Sequence, residues 1–307
     1  MKAPTSITIR EVSPRDGLQG EPVEIGTEAK IDLINQLADA GLPRINVTSF
    51  VSPKAVPRMA DAAEVVAGVV RRPGLELDAS VPNVRGAERA IAAGIDTVVV
   101  FVAASNEGNL RNVGRSTEES MVETSEVIRM VRSAGKKAVG TVALAFGSPY
   151  GDEIPPDRVV ELAGRFVAAG ANGISLGDTT GEANPRAVHE LVRRLHTEYP
   201  GVELALHLHD TRGLALANVL AGMDAGATHF DGAVGGIGGS PFTKDAGGNL
   251  ATEDLLYMCA SMGVQTGVDL DAVLGTYQFL EKVLGHPLPG KLGQLGRSDP
   301  RSQEEPA

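Results

Sequence analysis

The sequence predicts a single (β/α)8 TIM barrel, an α/β fold of eight parallel strands surrounded by helices. Eight β-rich runs alternate with helical patterns at spacings of about 20 to 35 residues. Eight such units in roughly 260 residues match the usual size of this barrel. In chain order the runs are SITIREV, RINVTSF, LELDASV, DTVVVFVAAS, KAVGTVALAF, GISLGDT, ELALHLHD and THFDGAVGGIG.

The segments between these runs have helical periodicity. Residues 27–41 and 156–169 each place four apolar side chains on one face. These side chains are Ile31, Ile34, Leu37 and Ala38 in the first segment, and Val159, Ala163, Phe166 and Val167 in the second. Glycines stand just before several strands, as expected for helix C-caps. A doubly wound sheet is the second possibility, but the turn after the first strand, SPRDGLQG, lacks the GxGxxG pattern.

The end of the chain predicts one additional helix and a tail. Residues 269–284 have the pattern of a helix that follows the eighth unit. We therefore expect one barrel domain over residues 1–285. Residues 286–307 end in the polar, proline-containing segment GRSDPRSQEEPA and are expected to form a disordered C-terminal tail.

Composition excludes several classes of function. Of 307 residues, 42% are hydrophobic, which is enough for a sizeable core, and the net charge of -11 argues against a nucleic-acid partner. No apolar run reaches about 18 residues and the start lacks a signal-peptide pattern, so we expect no membrane partner and a cytoplasmic protein. The single cysteine, Cys259, excludes a disulfide framework and is expected to be a buried hydrophobe.

Reactive side chains recur where the predicted strands end. In a barrel of this kind the active site lies at the carboxyl ends of the strands, so these residues are expected to meet at one rim. The first strand leads to Arg15 and Asp16, the sixth ends in Asp178 and Thr179, and the eighth runs into GGIGGSPFTKDAGGN. The glycine-rich stretch has two interpretations: a flexible turn without chemistry, or a loop that approaches a ligand.

The seventh strand carries the sharpest local signal, HLHD. His207 and His209 are two positions apart, so in a strand they point to the same side, about 7 Å apart along the chain. A metal ion between them can take both imidazoles, and Asp16 and an amide are candidate partners. Mixed oxygen and nitrogen ligands favour Mg²⁺ or Mn²⁺, with Zn²⁺ as a weaker candidate. Asp210 is expected either to orient a neighbour or to cap the next helix.

Five motifs, in order, resemble those of the hydroxymethylglutaryl-CoA lyases. This family belongs to a larger group of metal-dependent TIM-barrel lyases and aldol-type synthases that includes the isopropylmalate synthases. The resemblance extends from about residue 6 to residue 285. The motifs are EVSPRDGLQ, TSFVSPKAVPRMAD, SLGDT, HLHDTRGLALAN and GNLATEDL.

The resemblance implies a reaction and a set of site residues. The family cleaves a 3-hydroxy-3-methylglutaryl thioester to acetyl-CoA and acetoacetate, so the implied partner is an acyl-CoA substrate. Arg15 would lie on the thioester side, with Asp16, Asp178, His207 and Ser240 as the other catalytic residues. The implied metal ligands are Asp16, His207, His209 and Asn249, and the substrate-binding residues are Glu11, Gln19, Asn46 and Thr179. By analogy, the chain would form a homodimer or a higher homo-oligomer.

Two positions depart from the family pattern. The family loop reads GGC-P-[YF], and its cysteine is the expected proton donor. This chain has GGSPF, with Ser240, whose hydroxyl is a much weaker acid than a thiol of pKa near 8.5. The family also usually places a glutamate at the position of Asn46, and an amide cannot act as a base.

Three functions are therefore weighed. The first is a lyase that acts on 3-hydroxy-3-methylglutaryl-CoA or a related branched 3-hydroxyacyl-CoA such as citramalyl-CoA, which the intact RD, HLHD and GNLATED favour. The second is a condensing enzyme like the isopropylmalate synthases, whose loop signature differs from GGSPFTKDAGGN. The third is a catalytically impaired protein that binds metal and acyl-CoA, a possibility raised by Ser240 and Asn46.

Overall fold

Eight parallel strands close into a barrel in chain order, as predicted. The computed structural model describes residues 2–239 and 247–296. The ring is closed by β1 and β8, with Ile9 opposite Phe230. The strands are β1 (Thr8–Glu11), β2 (Arg44–Ser49), β3 (Glu76–Ser80), β4 (Thr97–Ala103), β5 (Lys137–Ala143), β6 (Gly173–Asp178), β7 (Glu203–Leu208) and β8 (His229–Gly232).

Helices connect the strands and cover the outside of the barrel. Gly41 and Gly170 follow α1 and α6 with φ angles of 92° and 98°, which confirms the predicted glycine ends of these helices. The helices are α1 (Thr27–Asp39), α2 (Ala62–Gly68), α3 (Val84–Ala92), α4 (Asn106–Val113), α5 (Thr117–Ser133), α6 (Pro156–Ala169), α7 (Pro185–Glu198), α8 (Ala215–Asp224), α9 (Thr252–Met262), α10 (Leu270–Leu284) and α11 (Lys291–Leu295).

The predicted buried face is correct for α6 and correct in part for α1. In α6, Val159, Ala163 and Phe166 are buried as expected. In α1, Ile34 and Leu37 are buried as expected, but Lys30 is buried as well and Ile31 is only half-buried. Lys30 is tolerated inside because its Nζ donates to Asp61 Oδ2 at 2.9 Å, which pairs the charge.

The chain stays packed beyond the predicted end of the domain. Residues 286–296 differ from the expectation of disorder, because Leu288 is fully buried and its carbonyl accepts a hydrogen bond from Tyr277 Oη at 3.2 Å. Asp254 of α9 caps α11 by accepting from the backbone N–H groups of Lys291 and Leu292. Hydrophobic residues inside this polar segment therefore dock onto α9 and α10, and residues 297–307 lie outside the described part of the chain.

The interior of the barrel is polar as well as apolar, and this positions the site. Half-buried Arg10 and buried Asn46, Asp78 and Asp231 project inward from four different strands. Cys259 is a buried free cysteine in α9, as predicted, and burial raises the pKa of its thiol to about 11. Among the helices of the described segments, none combines the length and apolar character needed to cross a membrane.

Candidate active site

A cavity opens at the carboxyl ends of the strands, where the sequence predicts the site. Its wall combines apolar side chains of β4, such as Val99 and Phe101, with polar side chains from the strand ends. Seven of the predicted site residues line it: Arg15, Asp16, Gln19, Asn46, Thr179, His207 and His209.

A tight turn explains why charged residues follow β1 directly. Residues Ser13–Gly17 form one π-helical turn in which the Val12 carbonyl accepts from the N–H groups of Arg15, Asp16 and Gly17 at 3.2, 2.8 and 3.3 Å. The backbone therefore turns at the rim of the barrel, directly after β1. Consequently Arg15 and Asp16 face the cavity, and the Arg15 guanidinium donates to Asp16 Oδ1 at 2.8 Å.

Two histidines and one carboxylate converge beside this turn. His207 Nε2 lies 3.2 Å from His209 Nε2 and 3.9 Å from Asp16 Oδ2. One ligand atom from each of the three residues lies within 4.8 Å of the others. Strand alternation predicted that both histidines point to the same side, and the geometry confirms it.

The other ring nitrogen of each histidine is held by the protein. His207 Nδ1 lies 3.0 Å from Asp231 Oδ2, and His209 Nδ1 lies 3.0 Å from the Gly247 carbonyl. Each Nδ1 therefore donates to its partner, and the Nε2 atom of each ring is directed at the cluster. This arrangement of a histidine backed by a carboxylate or a carbonyl is typical of metal sites.

Asn249 completes the cluster from the other side. Its Nδ2 donates to Asp16 Oδ2 and to the Ile237 carbonyl, each at 2.9 Å. Its Oδ1 is buried and has no hydrogen-bond partner among the residues described. A buried amide oxygen without a partner is unfavourable unless a cation or a ligand group meets it, so this atom supports the fit of a metal ion here.

The protonation states also fit a cation site. Burial opposes ionisation of Asp16, but the charges of His207 and Arg15 lower its pKa to about 2. Burial and the neighbouring His207 lower the pKa of His209, which keeps its imidazole neutral. An ionised carboxylate and a neutral imidazole are the forms that bind a divalent ion. Burial opposes the charged form of His207, but its hydrogen bond to Asp231 and the charge of Asp16 raise the pKa of this imidazole, so it would release a proton when an ion binds.

Two predicted residues do not face the cavity. Glu11 is fully buried, and its carboxylate accepts from Ser13 N at 2.9 Å, Val234 N at 3.0 Å and Thr252 Oγ1 at 2.6 Å, so it fastens the β1 turn to the loop after β8. Asp178 turns toward the start of the following loop, where its Oδ1 accepts from the N–H groups of Glu182 and Ala183. Both side chains point away from the cavity because their strand neighbours point into it.

The structure shows the role of Asp210 but does not describe Ser240. Asp210 Oδ1 accepts from Ala215 N at 2.9 Å, so of its two expected roles the structure has the helix cap. Ser240 lies outside the described residues. Asn46 lines the cavity and donates its Nδ2 to Asp78 Oδ1.

Sequence reasoning missed a set of charged residues behind the histidines. Asp231 contacts both His207 and Arg10, whose Nε donates to Asp231 Oδ1 at 2.9 Å. Asp78 lies on the far side of Arg10, at 3.9 Å from its guanidinium. The available signal was a charged residue at an inward position of each of three strands, in TIREV, LDAS and HFDG.

Comparisons with known proteins identify the family of this chain. The family model described as HMGL-like matches residues 6–280. Hydroxymethylglutaryl-CoA lyase YngG of Bacillus subtilis (strain 168) is 42% identical over 298 residues, which cover 97% of this chain and 100% of that protein. The cytoplasmic 3-hydroxy-3-methylglutaryl-CoA lyase of Rattus norvegicus is 43% identical over 291 residues, which cover 95% of this chain and 85% of the relative.

Solved structures match equally well. The HMG-CoA lyase of Bacillus subtilis has a TM-score of 0.93 at 41% identity and covers 97% of this chain and 100% of its own. An HMG-CoA lyase from Acinetobacter baumannii, solved in complex with coenzyme A and 3-methylmalate, has a TM-score of 0.92 at 39% identity, with 99% and 98% covered. With a shared fold and matches over nearly its full length, the chain belongs to the HMGL-like family.

Proposed function

We propose that this protein is a carbon–carbon lyase that cleaves 3-hydroxy-3-methylglutaryl-CoA to acetyl-CoA and acetoacetate by a divalent-metal-dependent retro-aldol reaction. The observation that carries the proposal is the convergence of Asp16, His207 and His209 in the cavity, next to Arg15. The reaction needs the tertiary hydroxyl to lose its proton and the resulting enolate to be stabilised. The names of the similar proteins support this substrate.

Asp16, His207, His209 and Asn249 are the proposed metal ligands. Their donor set of carboxylate, imidazole and amide oxygen favours Mg²⁺ or Mn²⁺ over Zn²⁺, and Asn249 Oδ1 has no partner among the described residues. A divalent ion held there would act as a Lewis acid toward the hydroxyl and carbonyl oxygens of the acyl group. Asp231 keeps the His207 ring oriented for this task.

Arg15 is the proposed partner of the thioester oxygen. Its guanidinium is tied to Asp16 through one N–H group, and its Nε has no partner in the described part of the chain. A guanidinium remains cationic at every physiological pH, so it can stabilise negative charge that develops on the enolate oxygen. Gln19 and Thr179 line the same cavity and are proposed to contact the acyl group.

Two residues are proposed for the proton transfers of the reaction. Asp178 is a proposed proton carrier because burial raises the pKa of its carboxyl to about 6 and its Oδ2 has no partner within the described ranges. Its side chain lies behind Thr179 rather than in the cavity, so the proton would need a relay. Ser240 remains the proposed donor to the enolate carbon, at the position where the resemblance implies cysteine.

The cellular setting is proposed from the relatives. They include lyases named as cytoplasmic and others named as mitochondrial. We propose a cytoplasmic enzyme that forms a homodimer or a higher homo-oligomer and takes an acyl-CoA substrate. The structure of the Acinetobacter baumannii lyase with coenzyme A supports the acyl-CoA proposal.

The test is a direct assay. The purified protein would be stripped of metal, supplied with Mn²⁺ or Mg²⁺ and 3-hydroxy-3-methylglutaryl-CoA, and acetyl-CoA release would be followed by mass spectrometry. We expect release only with metal. Tight metal binding without release would contradict the proposed substrate, and the same assay with citramalyl-CoA would then separate a lyase for another branched acyl-CoA from a binding protein.

A further inference from the structure

A line of polar side chains crosses the barrel interior, and three of its members, His207, Arg10 and Asn46, line the cavity. It begins at His207, whose Nδ1 lies 3.0 Å from Asp231 Oδ2. Arg10 donates from Nε to Asp231 Oδ1 at 2.9 Å, and its guanidinium lies 3.9 Å from Asp78 Oδ1. Asp78 in turn accepts a hydrogen bond from the side-chain amide of Asn46, which again lines the cavity.

The strand register makes Asn46 and Asp78 neighbours. The two residues are directly paired between β2 and β3, and Asp78 is only 1% exposed. Burial raises the pKa of the Asp78 carboxyl to about 6, so this carboxylate is ionised at neutral pH and only accepts hydrogen bonds. It therefore fixes the Asn46 amide with Nδ2 toward Asp78 and Oδ1 turned away from it.

The Asn46 side-chain oxygen is the atom left for a ligand. Oδ1 accepts no hydrogen bond from any described residue. It is not fully enclosed by the protein, so a ligand can reach it. Because Asn46 lines the cavity, a hydroxyl group there can donate to this oxygen. An amide oxygen accepts the hydrogen bond but does not take the proton.

Arg10 makes the arrangement possible by balancing charge. It lies between Asp231 and Asp78, two carboxylates that are almost fully buried. Two such carboxylates without a cation between them would both resist ionisation. Arg10 holds Asp231 through two parallel hydrogen bonds, and its remaining terminal nitrogen faces Asp78.

We propose that Arg10 and Asp78 are positioning residues that hold the Asn46 carbonyl toward the cavity, where it accepts a hydrogen bond from the substrate hydroxyl. The identity of that substrate rests on the proposed function. The family resemblance implies a glutamate at position 46, and here the carboxylate lies one strand away, at Asp78. The cavity thus receives a neutral, oriented acceptor in place of a charged one.

An exchange of the two side chains tests this role. We expect N46D, which puts two carboxylates in contact, and D78N, which lets the amide turn either way, each to lower kcat/KM about tenfold. The double variant N46D/D78N keeps one carboxylate and one amide in contact and still presents an acceptor oxygen. We expect its kcat/KM to exceed that of either single variant by about threefold, while remaining below that of the parent because the acceptor oxygen in the cavity is now charged. Asp96, a carboxylate outside the cavity, provides the control: D96N should change kcat/KM less than about twofold.

Two results would overturn the proposal. If the losses of the single variants multiply in the double variant, Asn46 and Asp78 do not act as a pair. If the exchange restores only the thermal midpoint and leaves kcat/KM low, the pair is structural and orients nothing in the cavity. Should N46D fail to fold, the comparison of D78N with the double variant decides the same question.

An experiment without substrate separates this inference from the proposed function. In the ¹⁵N-labelled protein, the Asn46 side-chain NH2 signals are identified by their loss in N46D. We expect them to exchange slowly with solvent in the parent and to shift and exchange faster in D78N. Unchanged signals in D78N would show that Asp78 does not hold the amide, whether or not the parent cleaves 3-hydroxy-3-methylglutaryl-CoA.

Discussion

The two ends of the barrel use charged residues in opposite ways. At the amino ends of the strands, Arg44 pairs with Glu203 on the opposite side of the ring, and Lys137 pairs with Glu76 at 2.5 Å. At the carboxyl ends, Arg15 Nε, Asp178 Oδ2 and Asn249 Oδ1 have no partner in the described segments. Ion pairs between protein side chains stabilise the fold, whereas buried polar atoms without a protein partner remain available to bind a ligand.

The electrostatics follow the same division. At the amino end, hydrogen bonds and nearby cations outweigh burial and lower the pKa values of Glu76 and Glu203. At the carboxyl end, burial wins at Asp178 and Glu253, whose pKa values rise to about 6 and about 8. The amino end therefore holds its carboxylates ionised, whereas the carboxyl end combines ionised Asp16 with two carboxyl groups whose pKa values are raised toward neutral pH. Residues that stabilise the fold and residues of the candidate active site thus lie at different ends of the barrel. Substitutions at the two ends should therefore affect the free energy of unfolding and the turnover separately.

The largest expected effect is the loss of activity in H207A. Removing this imidazole takes away a proposed metal ligand, so we expect turnover of 3-hydroxy-3-methylglutaryl-CoA to fall by about 1000-fold or more. Calorimetric titration with Mn²⁺ should show weaker binding, while the thermal midpoint changes little. His189, on α7 beside Asp224, gives the matched control H189A, which should keep its activity. Full activity in H207A would remove the metal assignment.

The second effect is on the pH dependence of stability, through Glu253. Burial raises its pKa to about 8, while its carboxylate accepts from Gly235 N at 3.0 Å. The folded chain holds this proton more tightly than the unfolded chain does. The free energy of unfolding should therefore fall by about 3 kcal/mol as pH rises from 5 to 8.

The E253Q variant tests this loss. Glutamine cannot ionise but can still accept from Gly235 N, so chemical denaturation of E253Q at pH 5 and pH 8 should show a smaller decrease than the parent does. An identical decrease in both proteins would mean that Glu253 is ionised throughout this range.

The sequence was sufficient for the architecture because hydrophobic periodicity dictates it. All eight strands and the helices around residues 27–41, 156–169 and 269–284 are found where the pattern places them. The histidine pair was also predictable, since positions two apart share a face of a strand. The same rule, applied further, would have placed the Asp178 side chain behind the cavity wall: Gly177 and Thr179 line the cavity, so the residue between them points outward.

Partners across the barrel could not be predicted. Arg10, Asp78 and Asp231 are far apart in the sequence, and their contacts depend on how strands 1, 3 and 8 are staggered when the ring closes. Likewise, the family resemblance implied that Glu11 is a substrate-binding residue. Its role became clear only when the backbone groups of Ser13 and Val234 were seen to donate to it.

The third effect concerns the proton donor at position 240. If Ser240 stands where the family places a cysteine, S240C supplies a far stronger acid at the same place, and turnover should rise about tenfold. The control S240A, which has no acidic hydrogen, should not show this rise. Measuring initial rates of acetyl-CoA release for the three proteins is sufficient, and equal rates for S240C and S240A would show that the proton comes from elsewhere.

The smallest effect belongs to the amino end of the barrel. Glu203 accepts from Arg44 at 2.9 Å and lies 3.2 Å from His229, and its side chain is 27% exposed. We expect E203Q to lower the free energy of unfolding by about 1 kcal/mol at pH 7, with kcat unchanged. Since the pKa of Glu203 is lowered in the folded chain, the parent's advantage should begin to decline below the ordinary glutamate pKa of about 4.3 and be lost as pH falls through the lower pKa of the folded chain.

The exposed pair of Glu198 with Arg194 on α7 provides the control for this variant, because E198Q should change stability by less than about 0.5 kcal/mol. Urea denaturation together with steady-state kinetics distinguishes the two ends of the barrel directly. A drop in kcat without a drop in stability for E203Q would mean that the charges at the amino end reach the reaction, through the Asp231 and Arg10 line that separates them from His207. In that case the charges at the two ends would be coupled, and a change of charge at the amino end would alter the electrostatic potential at the candidate active site.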